Sequence, residues 1–168
     1  SRLHLGLIEL SKEAFQREQT LKELKEFLHS QKSVLLSMPS LWPVLGRITS
    51  AFGETRFSPS SGGTRPHMGI DIADPSGTPI AATADGVAII AGMEAEYGRL
   101  VCIDHGHGYT TMYGHLKDFH VKAGDRIKAG QILGTVGTSG NTTGPHLHYE
   151  VRIYGRPVNP YSYLTQTL

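Results

Sequence analysis

Glycine is so unevenly spread along this chain that it divides the molecule into two kinds of polymer. Neither glycine nor proline occurs between Leu7 and Met38, whereas from Trp42 onward glycine recurs at short intervals, from Gly46, Gly53 and Gly77 to Gly130, Gly134 and Gly137. Glycine adopts positive φ without steric cost, so it punctuates tight turns, and short runs between such marks suit strands rather than helices. The expected fold is therefore mainly β: a glycine-rich antiparallel sheet or barrel-like domain preceded by a long N-terminal α-helix. Within the β part, Val121-Lys122-Ala123-Gly124-Asp125-Arg126 is followed at once by Ile127-Lys128-Ala129-Gly130-Gln131-Ile132, a miniature repeat. Each Ala-Gly pair is expected to supply a turn and each Val or Ile an inward anchor.

The helical segment has its own pattern. Leu3, Leu7, Leu10, Ala14, Arg17, Leu21, Leu24, Leu28, Gln31 and Leu35 follow alternating steps of four and three, a heptad seam that Arg17 and Gln31 interrupt. Glu13 with Arg17, and Glu18 with Lys22, stand at the i, i+4 spacing that supports an exposed helix face. At about 1.5 Å per residue such a helix runs roughly 45 Å. So narrow and long a stripe favours a coiled-coil strand, or an arm docked on another subunit or protein, over a helix lying on its own domain. The Pro-flanked stretch Ser37-Met38-Pro39-Ser40-Leu41-Trp42-Pro43 ends it, which divides the chain into a helix over 1–38, a linker over 39–43 and a second domain over 44–168.

A chain of 168 residues, 39% hydrophobic, can bury one substantial core beside such an appendage. A formal net charge of +1 with dispersed lysines and arginines lacks the basic footprint of a nucleic-acid binder, so no nucleic-acid partner is expected. No run approaches the length of a membrane span. The lone cysteine, Cys102, lies in the apolar run Leu100-Val101-Cys102-Ile103 and reads as a small buried hydrophobe.

The chemistry concentrates in two clusters. His67-Met68-Gly69-Ile70-Asp71 carries an imidazole and a carboxylate, and His146-Leu147-His148 carries two imidazoles one residue apart. Together they hold the donors of an open, three-ligand zinc site, which makes hydrolysis the first chemistry to consider. In the second cluster, period-two alternation turns Leu147, Tyr149, Val151 and Ile153 to the core and His146, His148, Glu150 and Arg152 to a cleft or solvent. Two histidines on one strand face stand about 7 Å apart, so one can bind metal while the other reaches a substrate atom. The same alternation around the first cluster places Met68, Ile70 and Ile72 on one side and His67, Gly69, Asp71 and Ala73 on the other. Tyr113 and His115 share parity, which would let Tyr113 flank the groove, although a tyrosine beside a glycine more often packs. Glu150 is either a hydrogen-bond partner of a ligand imidazole or an exposed strand carboxylate, and His105 and His107 belong to a hairpin turn.

Four segments, in order, resemble the lysostaphin-type or LytM-type zinc metallopeptidases that cut peptides in bacterial cell walls. They are Ile48-Thr49-Ser50-Ala51-Phe52-Gly53, His67-Met68-Gly69-Ile70-Asp71-Ile72, Met112-Tyr113-Gly114-His115-Leu116 and Gly137-Thr138-Ser139-Gly140-Asn141-Thr142-Thr143-Gly144-Pro145-His146-Leu147-His148-Tyr149-Glu150. The resemblance covers about Trp42 to Tyr163. It implies one Zn²⁺ per chain held by His67, Asp71 and His148, with His115 and His146 as the catalytic pair that handles the proton of water and steadies the tetrahedral intermediate. It implies a zinc-dependent endopeptidase acting on peptidoglycan stem or cross-bridge peptides, in the periplasm or at the cell surface, with membrane anchoring by a segment upstream of Ser1. Some members place a tyrosine before the first ligand; Gly53 to Pro66 has none, and Ser58 to Thr64 reads instead as a mobile rim that orders on substrate.

Two other classes compete. One is a non-catalytic activator of wall amidases working through the helical arm, against which the retention of all five site residues argues. The other is a lipoyl- or biotinyl-type carrier, similar at Ala84-Asp85-Gly86-Val87 and Val121-Lys122-Ala123-Gly124-Asp125. That module needs a lysine at a hairpin tip, where this chain carries His107 between Gly106 and Gly108.

Overall fold

The glycine-free segment lies in a single helix, α1 (Arg2–Ser37), which also takes in Gly6, in a computed structural model that describes residues 2–58 and 62–165. Two units divide between Leu35 and Leu36. Taken by itself, α1 leaves its seam residues Leu3, Leu7, Leu10, Leu21, Leu24, Leu28 and Leu35 exposed. Glu13 accepts from Arg17 at 2.7 Å on its surface, an exposed pair that adds little stability.

The second unit contains strands β1 (Arg47–Ser50), β2 (Thr55–Ser58), β3 (Gly63–Pro66), β4 (Ile70–Ala73), β5 (Pro79–Ala81) and β6 (Gly86–Glu94). It continues with β7 (Gly98–Gly106), β8 (Tyr109–Phe119), β9 (Arg126–Ile127), β10 (Ile132–Val136), β11 (His146–Ile153) and β12 (Arg156–Val158), and closes on a 3-10 turn at Pro160–Ser162. Ten strands form one sheet in the order β1-β4-β11-β8-β7-β6-β9, with β10 joining β5 to β8 and β12 flanking β11. Strands β2 and β3 pair separately. The mainly β, antiparallel architecture is the one that the glycine spacing led us to expect.

Long strands in the middle of the sheet are buried on both faces. Ile72, Val101, Ile103, Tyr113, Leu133, Leu147, Tyr149 and Val151 are fully buried in the main core. On the opposite face Leu100, Cys102 and Met112 form a smaller cluster, joined by Ile90 and Tyr97. Burial pushes the Cys102 thiol up to about 11, so it is an inert packing group. Glu150 lies opposite Met112, and Met112 opposite Cys102, so this smaller cluster is the apolar floor beneath the polar row of β11.

Three expectations are decided by the structure. The stretch 39–43 is bound to the β unit rather than being a free linker: Leu41 N donates to Thr83 O at 3.2 Å, Ala81 N to Pro43 O at 2.9 Å and Thr165 N to Ser40 O at 3.0 Å. Prolines there produce an extended segment whose backbone groups pair with neighbouring chain. Of the two readings of Tyr113 the packed one holds: it is wholly buried, with its hydroxyl within 3.1 Å of Thr83 N, Thr83 Oγ1 and Thr111 Oγ1. Third, Gly53 to Pro66 is not an open loop, because β2 and β3 pair within it; the centre of the expected mobile rim, at 59–61, lies outside the described residues.

The miniature repeat is architectural. Lys122 N donates to Asp125 Oδ2 and Lys128 N to Gln131 Oε1, both at 3.0 Å, while Val121 and Ile127 are buried.

Candidate metal centre

Pairing register creates the heart of the site. His148 of β11 lies directly opposite Asp71 of β4 on one side and Gly114 of β8 on the other. Directly opposed side chains on one face stand close, and a slip of one residue would send them to opposite faces. His148 Nδ1 is consequently 2.9 Å from Asp71 Oδ1.

His67 arrives by a different route from the one its spacing suggested. It precedes β4 instead of lying on it, and Met68, which alternation groups with the buried Ile70 and Ile72, is 38% exposed. Its backbone is fixed by two bonds, His67 N to Glu54 O and Gly53 N to His67 O, each 2.8 Å. The alternation fails at Gly69, where a Cβ would stand 2.3 Å from the Tyr149 carbonyl oxygen; only a residue without a side chain lets the backbone pass so close to β11. This passage swings His67 Nε2 to 3.2 Å from Asp71 Oδ1 and 3.1 Å from His148 Nδ1.

His115 also breaks parity. The β7–β8 ladder shifts register between Arg99↔Leu116 and Val101↔Tyr113, and His115 itself has φ 64. This bulge lets Tyr113 and Leu116 both enter the core while His115, between them, turns to the site. A left-handed backbone at a histidine is uncommon, and such positions cluster where function demands them.

All four imidazoles have their tautomers fixed by what they donate to. His67 Nδ1 donates to Ala51 O at 2.9 Å, His115 Nδ1 to Ser139 O at 2.8 Å and His146 Nδ1 to Gly144 O at 2.9 Å. His148 Nε2 donates to Glu150 Oε1 at 2.9 Å. The lone pairs left over are Nε2 of His67, His115 and His146, and Nδ1 of His148. Two of these and the Asp71 oxygen form a triangle with sides of 2.9, 3.1 and 3.2 Å, three buried acceptors pointed at one another. Only a cation or an added proton relieves that arrangement. Tetrahedral zinc with bonds of roughly 2.0–2.1 Å requires ligand separations of about 3.3 Å, so the donor set fits such an ion.

Charges around the triangle are balanced by buried partners. Burial alone would raise Asp71, but His148 and His67, which bond it on taking up an added proton, and the Arg56 guanidinium hold its carboxyl well below the usual range. Burial opposes the charged form of His148, yet Asp71 and Glu150 outweigh it and move the imidazole upward. Burial lowers His115 to about 4, which keeps it neutral near pH 7 and able to accept a proton. Its ring centroid is 4.8 Å from that of His146, whose Nε2 lies 3.7 Å from Asp71 Oδ2.

Glu150 is fully buried, so the exposed-carboxylate reading is wrong. It accepts from His148, from Tyr97 Oη at 2.8 Å and from Arg152 Nε at 2.8 Å, which aligns His148 through its outer nitrogen. His105 is a buried structural group, donating to Asp85 O and bonded to Thr111.

Sequence reasoning missed Tyr97 and Arg56. Tyr97 sits in a turn with no periodic signal, and its ring centroid lies 5.4 Å from that of His148. Arg56 lies on β2, and its guanidinium is 2.6 Å from Asp71 Oδ2. The polar-apolar run Thr55-Arg56-Phe57, returned by Thr64-Arg65-Pro66, was the available hairpin signal. A cavity of about 450 Å³ opens beside the triangle, lined by Arg56, His67, Met68, Tyr97, His115 and His148 among others.

Known proteins are similar to this chain in sequence and fold. The description "Peptidase family M23" matches residues 65–160, a span that includes all five candidate site residues. The chain is 48% identical over 119 residues to the DD-carboxypeptidase/endopeptidase Mpg of Neisseria meningitidis, covering 71% of this chain and 27% of that protein. It is 43% identical over 113 residues to the peptidoglycan DD-endopeptidase ShyA of Vibrio cholerae, covering 67% and 26%. The chain thus spans about a quarter of the length of these curated relatives. Among solved structures it resembles a zinc-containing peptidase from Vibrio cholerae, with TM-score 0.64 and 37% identity, covering 73% of this chain and 37% of that one. The catalytic domain of lysostaphin from Staphylococcus simulans gives TM-score 0.65 and 28% identity, covering 72% and 93%. Family match, sequence identity and fold agree: this chain belongs to peptidase family M23.

Proposed function

We propose that the chain is a zinc-dependent endopeptidase that hydrolyses peptide bonds in peptidoglycan, with His67 Nε2, Asp71 Oδ1 and His148 Nδ1 as ligands of one metal ion. The observation that carries this reading is the triangle of three buried acceptors whose other ring nitrogens are already committed as donors. When bound there, zinc supplies Lewis acidity, polarising a carbonyl and easing deprotonation of water. The protein's own groups do the rest. His115 Nε2, neutral and with Nδ1–H anchored on Ser139 O, accepts the proton of the attacking water and delivers it to the leaving nitrogen. His146, anchored in the same way on Gly144 O, orients water or donates to the developing oxyanion. The two are adjacent, and their roles can exchange during turnover. His105 and Tyr113, buried and tied to the core, take no part.

Peptidoglycan as substrate, and with it a periplasmic or cell-surface location, is supported by the relatives' names. Among the described residues no helix is long and apolar enough to cross a membrane. A silent amidase activator has no need of five convergent groups, four of them tautomer-locked imidazoles, and a carrier module has no use for a metal triangle. The helix α1, with its leucine seam exposed, is read as a self-association or docking arm.

The test is digestion of purified sacculi. Soluble fragments should be released by the chain, abolished by a chelator and restored by Zn²⁺. Release that survives chelation, or that survives Asp71→Ala, contradicts the reading.

A further inference from the structure

The β2–β3 ribbon places two arginines directly opposite one another, Arg56 and Arg65. Like charges facing across a ladder repel, and this pair is held by separate carboxylates. Arg65 bonds Glu96 at 2.5 Å, and Arg56 bonds Asp71 Oδ2 at 2.6 Å. The two partners are not equivalent. Glu96 is half-exposed and belongs to Arg65, whereas Asp71 is a proposed metal ligand, so a bound dication shares the charge that Arg56 faces. Two neutral imidazoles and one carboxylate around a dication leave a net positive charge, and Arg56 adds another beside it. A guanidinium has five N–H donors, of which Asp71 needs only one, and the Arg56 side chain is 39% exposed at the cavity. The place is built to receive an anion one carboxylate's width from the reacting centre.

We infer that Arg56 reads the free carboxylate carried by the residue on the leaving side of the scissile bond, and so selects peptides in which that residue has an unblocked carboxyl group beside the leaving nitrogen. The inference rests on the function proposed above and deepens it. In a D-Ala–D-Ala terminus, and in a D-alanyl cross-link through diaminopimelate, the leaving nitrogen is attached to a carbon that bears a carboxylate. An internal Gly–Gly bond offers none. Planar, two-pronged recognition of that group is what a guanidinium provides, and a lysine provides it less well.

The test pairs a change in the protein with a change in the ligand. Dissociation constants for diacetyl-Lys-D-Ala-D-Ala and for its C-terminal amide are measured by calorimetry on zinc-loaded protein carrying His115→Ala, to prevent turnover, with and without Arg56→Gln or Arg56→Lys. The acid should bind about tenfold to a hundredfold more tightly than the amide when Arg56 is present. That preference should collapse to within about twofold in Arg56→Gln and survive in part in Arg56→Lys. If Arg56 acts only by orienting Asp71, Arg56→Gln weakens acid and amide alike and the preference persists, which overturns the inference. Equal binding of acid and amide to the protein with Arg56 intact, or no binding of either, overturns it too. Sacculus digestion is scored separately: digestion without acid preference sinks the role of Arg56 alone, and acid preference without digestion sinks the peptidase reading instead.

Discussion

At the scale of single residues, the site is governed by where protons are held. His115 is expected to lower kcat by about a hundredfold or more when replaced by Ala, with zinc content unchanged, because it serves proton transfer and not metal binding. Metal analysis beside peptide-release kinetics separates this from Asp71→Ala, which should lose both. Glu150 acts one bond further out. Glu150→Gln keeps the volume but removes the acceptor charge that fixes the His148 tautomer, so zinc affinity should fall about tenfold to a hundredfold in a chelator competition. His115 also links stability to pH in the metal-free protein. Its folded value of about 4 lies below the ordinary 6.5, so between those values the unfolded chain binds the extra proton and stability falls as pH falls. The cost is about 2 kcal/mol at pH 5, and urea unfolding at pH 7 and pH 5 should show that much less sensitivity in His115→Gln.

The residue scale is also where the sequence was most and least informative. His67, Asp71, His115, His146 and His148 could be named beforehand because their residue types and motifs are distinctive, and the structure brings them within reach of one another. How they get there was not legible. Period-two parity holds for β11, whose pleat is regular, but fails at His115, where a bulge inverts the faces, and at His67, which lies before its strand. Both failures are long-range effects: a register shift against β7 and a close passage over Tyr149 depend on partners far away in sequence. Arg56 and Tyr97 were missed for the same reason, since each is brought to the site by a partner on another element.

Among elements, the pairing of β4 with β11 carries the site, and Gly69 is the residue that permits its approach. A Cβ there meets the Tyr149 carbonyl oxygen at 2.3 Å, which is backbone and cannot rotate away. Gly69→Ala should therefore cost about 3 kcal/mol and displace His67, lowering zinc affinity together with the urea midpoint. The β2–β3 ribbon shows the opposite case. The sequence suggested a loose rim, yet two strands with paired arginines form there, Thr55–Ser58 against Gly63–Pro66.

For the molecule as a whole, the glycine-free and glycine-rich parts correspond to a helix and a β unit, and composition alone marked that division. The boundary was blurred at 39–43, where prolines suggested a linker and backbone pairing holds the segment to the sheet unit instead. If α1 is an association arm, sedimentation of the full chain should show concentration-dependent dimers, and a chain starting at Leu36 should remain monomeric with its rate on soluble peptides unchanged. A monomer in both cases removes the arm's proposed role. The central claim is the metal itself, and anomalous diffraction at the zinc edge from crystals grown with Zn²⁺ addresses it most directly. A single peak about 2.0–2.2 Å from His67 Nε2, Asp71 Oδ1 and His148 Nδ1 is predicted; a structure with those three atoms apart and zinc bound elsewhere, or nowhere, would contradict it.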